Sequence, residues 1–254
     1  MKWKTFYILV VMSFAIACDE IEDPFSGCIL ESIQFDSYNR LEFMTLSGGM
    51  VYQVRQVYEY EDEYKTLASF QFTYYQDSIV VKDQLEPGKL PYLTVSLAND
   101  LPIQVVKYFP SADVQIIHDF TYSDEFIRID LTRLASNGES LHAAYAFYHM
   151  NKEGNVERIE RYEIESENLN NFEKVEDRSF VYDFYNNPFK GLFLPFFANS
   201  ELPDIKFFSK NNILDIQEQN QVYRYTYQYG EEKSTRVLTD PNGQSVEFSY
   251  LNCP

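Results

Sequence analysis

Residues 223–229 read Tyr-Arg-Tyr-Thr-Tyr-Gln-Tyr, and this stretch gives the clearest indication of the fold class. Tyrosine occupies every second position, and a polar side chain stands between successive rings. Successive side chains of a β-strand point to opposite faces of a sheet, so a period of two predicts a strand with one buried face and one face in water. An amphipathic helix would repeat its apolar residues every three or four positions.

The same alternation recurs along most of the chain. Ile127, Ile129 and Leu131 alternate with polar residues in the same way. Further strands are predicted around residues 52–60, 69–74, 92–97, 101–108, 114–122, 141–148, 179–184 and 245–251. Turn residues separate these runs at hairpin distances, namely Gly48-Gly49, Asn99-Asp100, Asn137-Gly138, residues 152–155 and residues 241–243. We therefore expect neighbouring strands to pair as antiparallel hairpins.

The predicted fold class is all-β, an extended and curved antiparallel β-meander built from repeated hairpins, in a single domain over residues 28–254. Residues 156–162 fit a helical face as well as a strand, and their context favours a strand. Residues 186–212 interrupt the pattern with three prolines and the apolar run Leu-Phe-Leu-Pro-Phe-Phe at 192–197. We interpret this Pro/Phe-rich stretch as a non-repetitive folded insertion or short helix that covers one end of the sheet. Its apolar run is expected to pack into the core, with an exposed contact site as the alternative.

Residues 1–17 have the composition of a bacterial signal peptide. Lys2 and Lys4 form a basic start, and an apolar run follows from Phe6 to Ala17. A spanning helix is the alternative, but it takes about 20 apolar residues, and here acidic residues follow the shorter run at once. Cleavage after Ala17 is therefore predicted.

The residues at this cleavage site, Ala15-Ile16-Ala17-Cys18, resemble a bacterial lipobox, with Ala15 where leucine is usual. The resemblance implies that the thiol of Cys18 receives a diacylglycerol and that Cys18 becomes an acylated N-terminus. Several acyl chains on one residue, at about 0.8 kcal/mol for each buried methylene, would hold the protein on a membrane. Cys18 is thus predicted to be a lipid anchor, and the membrane a partner of this chain.

Residues 18–27 form a short acidic tether between the anchor and the domain. Residues 19–23, Asp-Glu-Ile-Glu-Asp, are similar to the acidic tag that sends many Bacteroidota lipoproteins to the outer cell surface. The alternative is a plain linker, which the repulsion of like charges keeps extended. The predicted location is the outer membrane of the cell envelope, with a surface-facing position favoured over a periplasmic one.

The charge balance of the chain is strongly acidic. Removing residues 1–17 removes two lysines and no acidic residue, which leaves 19 basic and 39 acidic side chains and a formal charge of −20. Such a surface repels phosphate groups, so nucleic acid and anionic membrane headgroups are not expected partners. Cation binding is a weaker explanation of the charge than solubility, since residues 59–63 lack the ligand spacing of an EF-hand loop.

Two cysteines remain besides Cys18. Cys28 lies at the start of the domain, and Cys253 is the penultimate residue of the chain. In an oxidising compartment two thiols usually form one bridge, so we predict a Cys28–Cys253 disulfide that joins the two ends of the domain. Zinc is the weaker alternative, because the three histidines are scattered. No metal or other cofactor is predicted.

Short echoes in the sequence indicate a degenerate repeat. An aromatic residue, a hydroxyl residue and tyrosine follow one another at 72–74, 120–122 and 248–250. Residues 35–41, Phe-Asp-Ser-Tyr-Asn-Arg-Leu, resemble the tyrosine-aspartate (YD/RHS-like) repeat, a hairpin unit that usually has glycine where this chain has Asn39, and Tyr182-Asp183 is a looser echo. With the lipobox and the terminal cysteine, the chain resembles uncharacterised Bacteroidota envelope lipoproteins built from such hairpins. That resemblance implies a long curved antiparallel sheet over most of the domain, and it implies no activity.

Catalytic motifs are not found in the sequence. It contains no Gly-x-Ser-x-Gly elbow, no His-Glu-x-x-His and no glycine-rich phosphate loop. His118, His142 and His149 lie in predicted strands, the last two on opposite faces of one strand, and we interpret all three as packing or surface residues. Carboxylates are numerous, but the separation that defines a glycosidase pair is a property of space. No catalytic residue is predicted.

The predicted function is that of a non-catalytic, envelope-anchored binding or scaffold module, with an envelope protein or a glycan as candidate partners. One alternative is a glycan-acting hydrolase with a carboxylate pair on the concave face of the sheet. Another is a lipid or acyl carrier, which requires an apolar concave face. Exposed rings could stack on sugars, but rings that repeat with the period of a strand favour packing on the sheet.

Overall fold

A computed structural model describes residues 29–46, 50–61, 63–85, 92–109, 114–165, 171–190 and 202–251. The predicted signal peptide, the tether, Cys28 and Cys253 lie outside the described residues. Within them, no helix has the length and apolar character needed to cross a membrane.

Antiparallel β-strands make up most of the described chain, and this confirms the predicted fold class. The strands are β1 Ile29–Gln34, β2 Asn39–Thr45, β3 Val51–Tyr60, β4 Glu63–Tyr74, β5 Ser78–Asp83, β6 Leu93–Ala98, β7 Leu101–Phe109, β8 Val114–Tyr122, β9 Phe126–Ala135, β10 Ser140–Met150, β11 Val156–Ile164, β12 Phe172–Asn186, β13 Asn211–Glu218, β14 Gln221–Arg224, β15 Thr226–Tyr229, β16 Thr235–Thr239 and β17 Ser245–Leu251. The ambiguous segment at 156–162 is a strand, as its context predicted.

The sheet curves until its last strand meets its first. Antiparallel pairing runs without interruption from β1 to β14 and again from β15 to β17. β17 then pairs with β1, with Ile29 opposite Leu251. The meander of hairpins is therefore a nearly closed barrel, which leaves few unpaired strand edges.

The tyrosine-rich stretch at 223–229 is where the pairing changes sides. β14 pairs with β13, whereas β15 pairs with β16. Tyr225 stands between the two strands and donates its backbone N–H to the carbonyl of Leu214 at 2.7 Å. The period of two thus predicts the extended conformation correctly, but the stretch forms two short strands where one was predicted.

The interior of the barrel is apolar. Alternate side chains of nearly every strand face it and form one large core cluster, as Ile127 and Ile129 do on β9. The other buried members are Ile33, Phe43, Val54, Phe72, Ile79, Val81, Leu93, Val95, Val105, Phe120, Ala146, Tyr148, Val156, Ile159, Phe180, Ile205, Ile213 and Phe248. Burial of this inward face is the main stabilising contribution to the barrel.

The three repeated triplets have one structural role. In each, the phenylalanine is buried in the core, and the tyrosine hydroxyl donates to a backbone carbonyl at the first or second residue of the preceding strand. The hydrogen bonds are Tyr74 to Val51 at 2.7 Å, Tyr122 to Pro102 at 2.7 Å and Tyr250 to Thr235 at 3.0 Å. The sequence echo therefore reflects a repeated connection between neighbouring strands. Residues 35–38 form the turn from β1 to β2 and residues 39–41 begin β2, while the resemblance to tyrosine-aspartate repeats stays a prediction.

The insertion between β12 and β13 packs inside the barrel. Its described part contains the 3-10 helix Ile205–Phe207, whose two apolar ends are buried. Phe208 contacts the rings of Phe120 and Tyr148, and Phe189 contacts Phe248, with ring centroids between 5.4 and 6.5 Å apart. These partners lie on β8, β10 and β17, so the insertion fills the interior. The described part of the insertion thus packs in the core, while the apolar run at 192–197, for which core packing was predicted, lies outside the described residues.

Candidate ligand-binding cavity

The insertion leaves a cavity of about 530 Å³ on one side of the barrel interior. Small-molecule sites typically measure about 300–1,000 Å³, so this space is large enough for a ligand. The walls come from β10 to β13, from β15 and β16, and from the insertion. The lining residues are Tyr148, Ile159, Arg161, Glu176, Arg178, Phe180, Asn187, Phe189, Leu202, Pro203, Asp204, Ile205, Lys206, Phe207, Ile213, Ile216, Tyr225, Tyr227 and Leu238.

One end of the cavity is apolar and closed. Tyr148 is only 1% exposed, and Ile159, Phe180 and Ile213 beside it are buried as well. The Tyr148 hydroxyl donates to the carbonyl of Pro203 in the insertion, so the ring has no polar group left without a partner. Burial raises the pKa of the Tyr148 phenol far above its usual value, which keeps this wall uncharged.

The other end of the cavity is charged and open. Arg178 Nη1 lies 3.3 Å from a carboxylate oxygen of Glu176, and Arg178 Nε lies 3.2 Å from one of Glu218. The Arg178 side chain is 38% exposed, in contrast to the buried rings deeper inside. Arg161, also part of the lining, forms an ion pair with Glu163. The cavity thus has a polar mouth and an apolar base.

Strand register produces this division. Phe180 lies opposite Ile216 across the β12–β13 pair, and two residues further along, Arg178 lies opposite Glu218. Across the β11–β12 pair, Arg161 lies opposite Glu176. Directly opposed side chains share a face, so Phe180 and Ile216 form an apolar row on the inner wall. Arg178 follows between Ile159 and Glu218, and the ionic row of Arg161 and Glu176 comes next. The charged residues therefore gather at one end of the cavity.

The insertion supplies the remaining wall and carries its own charge pair. Asp204 caps the 3-10 helix, since its carboxylate accepts the backbone N–H of Lys206 at 3.1 Å. The Lys206 ammonium lies 3.2 Å from Asp204 and 5.0 and 5.5 Å from the ring centroids of Phe189 and Phe207. These cation–π contacts hold the lysine stem along the apolar wall.

A buried polar network fixes both ends of the insertion to the barrel. The Asn155 amide donates to Asn211 Oδ1 at 2.9 Å, and Asn211 returns its backbone N–H to Asn155 Oδ1 at 2.8 Å. The Asn187 amide donates to the carbonyl of Ser209 at 3.0 Å. Paired amides of this kind satisfy groups that would otherwise be costly to bury. The network makes the position of the insertion, and with it the cavity, a fixed part of the fold.

Ion-pair networks occupy parts of the outer face of the barrel, beside outward rings such as Tyr145 and Phe147. On β11 and β12, Arg158 donates to both carboxylate oxygens of Asp177 at 2.7 and 2.8 Å, and Lys174 contacts Asp177 at 3.0 Å. The hydrogen bonds from Arg158 hold the pKa of Asp177 well below its usual range. A second network on β2 and β3 joins Glu42 to Arg40 at 2.8 Å and to Arg55 at 2.7 Å. These networks carry charge on the outer face of strands whose inward side chains are apolar.

The histidines take positions that differ in part from the prediction. His118 is buried on the inner face of β8. His142 and His149 were expected on opposite faces of β10, but both lie on its outer face, 3.1 Å from Asp130 and Glu160 respectively. A β-bulge after His142 causes this difference, because one extra residue shifts the alternation of all later side chains.

Cys18, Cys28 and Cys253 fall outside the described residues, so the anchor and the disulfide stay predictions. Within the described ranges, no group of three or more His, Cys, Asp and Glu side chains is arranged to hold a metal ion.

Sequence reasoning missed the charged mouth. Arg178 precedes the buried Phe180 by two positions, so strand alternation puts both side chains on the same face. This alternation was the one signal in the sequence that could place Arg178 on the inner face. One partner, Glu176, lies two positions earlier on the same strand, but Glu218 comes 40 positions later in the chain than Arg178, and strand alternation does not link residues that far apart.

Comparisons with known proteins inform the fold. No family model matches the chain, and no curated protein matches it. Among solved structures, the chain is similar to a porin-like protein from Bacteroides uniformis ATCC 8492, whose crystal structure has a resolution of 2.32 Å. The TM-score is 0.56 at 11% sequence identity, and the match covers 87% of this chain and 98% of that chain. At this identity the likeness concerns the fold alone.

Proposed function

We propose that this chain is a non-catalytic binding module of the cell envelope, held on the membrane through Cys18, which takes a small molecule into the cavity of its barrel. The observation that carries the proposal is the cavity itself, with a buried base at Tyr148 and Phe180 and an open mouth at Arg178. A concave site with an apolar lining and a few convergent polar groups is the usual form of a small-molecule site.

The outer face supports anchoring by lipid. A barrel that spans a membrane shows the bilayer an apolar outer band about 25 Å tall, and an arginine or lysine placed at its middle costs about 2–4 kcal/mol. Here the outward positions of neighbouring strands carry Arg158, Glu160, Lys174 and Asp177 in one network. The neighbouring structure is titled porin-like, but this charge pattern favours a barrel that stands in water beside the membrane.

The hydrolase alternative has less support from the same residues. A glycosidase needs one carboxyl group that carries a proton and a second that acts on water or on the sugar. Glu176 and Glu218 both contact the guanidinium of Arg178, so the two carboxylates are engaged with one cation between them. The pair is therefore better suited to orient Arg178 than to transfer protons.

Native mass spectrometry of the full chain, extracted from membranes in a mild detergent, tests the proposal. We expect a small molecule to copurify with the protein and to be lost when Ile216→Trp fills the cavity. The matched control is Val181→Trp, because Val181 lies on the outer side of β12 and is 41% exposed. Equal ligand content in the two variants would contradict the cavity site, and turnover of an added envelope glycan would overturn the non-catalytic assignment.

A further inference from the structure

We infer that the ligand of the cavity is an amphipathic anion, an alkyl chain that ends in one negatively charged head such as a carboxylate. The inference rests on the proposed function and adds the chemical class and the orientation of the ligand. The head would lie at Arg178 at the mouth, and the chain would point toward Tyr148 at the base.

The base of the cavity selects for an alkyl chain. Ile159, Phe180 and Ile213 offer no polar atom except the backbone, and the backbone of their strands is already paired within the sheet. The hydroxyl of Tyr148 is bonded to Pro203. A polar group placed here would lose its hydrogen bonds to water without replacement, whereas a methylene group gains free energy from the same burial.

The mouth selects for a negative head. The Arg178 guanidinium has five N–H donors, and its two carboxylate contacts are long single contacts at 3.2 and 3.3 Å, not the close bidentate pairing that Arg158 makes with Asp177 on the outer face. The Nε of Arg178 is buried beside Glu218, whereas the side chain as a whole is 38% exposed, so the donors within reach of an anionic head are the N–H groups of the two terminal nitrogens. Arg178 thus retains capacity to bind the oxygens of an anionic head.

Calorimetric titration of a homologous series tests this inference. The full lipidated chain is placed in phosphatidylcholine nanodiscs, with empty nanodiscs as the blank, and titrated with hexanoate, octanoate, decanoate and dodecanoate. We expect affinity to rise about three- to fourfold per added methylene, in line with the free energy of methylene burial, and to level off once the chain fills the cavity. Decanol and decyltrimethylammonium should bind more weakly than decanoate. Decyl phosphate distinguishes a general anion site from one specific for carboxylates.

Variants of two arginines locate the head. Arg178→Gln should weaken decanoate binding about tenfold or more and leave decanol unchanged, because the lost contact is a charge-assisted hydrogen bond. Arg158→Gln, an arginine on the outer face of the adjacent strand, should change neither. Arg178→Lys keeps the charge and should retain part of the decanoate affinity, which separates loss of charge from loss of folding.

Two results would overturn the inference: equal affinity for decanol and decanoate, or tighter binding of the cationic amphiphile. If none of these amphiphiles binds while a copurified molecule is still displaced by Ile216→Trp, the ligand class is wrong and the proposed binding function stands. If no molecule depends on the cavity, both fail.

Discussion

Ile29, the first residue of β1, lies directly opposite Leu251, the last residue of β17. This cross-strand pair closes the barrel and brings together the two ends of the described chain. Cys28 precedes Ile29 by one position, and Cys253 follows Leu251 by two. The pairing therefore supports the predicted disulfide, although both cysteines lie outside the described residues.

The first prediction concerns this disulfide. Replacing Cys28 and Cys253 together by serine should lower the free energy of unfolding by about 4–5 kcal/mol, because the bridge restricts a very long loop in the unfolded chain. Urea denaturation of the oxidised protein and of the double variant measures the difference. Intact mass after alkylation under denaturing, non-reducing conditions gives the direct readout, and addition of iodoacetamide to both thiols would show that no bridge forms.

A second prediction concerns the connection between the insertion and the barrel. Tyr148→Phe removes the hydroxyl that donates to Pro203 and leaves a buried carbonyl without its donor. We expect a loss of about 1–3 kcal/mol in the free energy of unfolding. Tyr74→Phe is the matched control, because it removes a similar bond to Val51 at an exposed position, where water can replace the donor. Equal losses in the two variants would show that the insertion does not depend on this bond.

Local features of the fold could be predicted from the sequence because they depend on neighbouring residues. Gly138, Gly154 and Gly243 occupy predicted turns and have φ values of 83° to 85°, a region that favours glycine. Asn99 and Asp100 adopt φ values of 51° and 62°, as a tight hairpin of that sequence predicts. The predicted turn at Gly48-Gly49 lies outside the described residues.

Features that depend on distant residues could not be predicted in this way. Closure of the barrel requires the pairing of β1 with β17, which no local pattern encodes. The positions of His142 and His149 depend on one bulge, and a single extra residue reverses the face of every later side chain. The charged mouth combines Arg178 with Glu218 through the register of two strands that the insertion separates.

A third prediction uses Lys107, a buried lysine on the inner face of β7. Lys107 on β7 is 2% exposed, and its ammonium lies 4.8 Å from the ring centroid of Phe109 and 5.7 Å from that of Tyr92. Burial lowers its pKa from 10.5 to about 8. Between about pH 8 and pH 10.5 the unfolded chain therefore binds more protons than the folded one, and the free energy of unfolding should rise with pH. Below pH 8 both states are protonated, so the cost of burying the charge becomes constant.

Urea denaturation between pH 7.5 and pH 9.5 measures this rise, which should amount to about 2 kcal/mol. Phenols such as Tyr122, whose pKa burial raises to about 12, act in the opposite direction once the phenols of the unfolded chain ionise near pH 10. The rise is therefore measured as the difference between the parent and the Lys107→Met variant, which share these phenols. Lys107→Met should be more stable than the parent at pH 7.5 and should lack the rise. Lys82→Met removes an exposed lysine on β5 and should leave the slope unchanged. If the free energy of unfolding of Lys107→Met still rises with pH, the rise belongs to another titrating group.

The last prediction separates a lipid anchor from a membrane-spanning barrel. If Cys18 carries the acyl chains, labelled palmitate should enter the parent protein and the Cys28→Ser variant, and Cys18→Ser should lose the label. Exchange of residues 1–18 for a cleavable signal peptide without a lipobox should then release the domain into the soluble fraction. The reason is that the outward residues of the barrel, such as Arg158 and Asp177, are ion-paired in water and would be costly to place in hydrocarbon. A domain that still sediments with the membrane, and resists extraction at high pH, would show that the barrel itself is inserted.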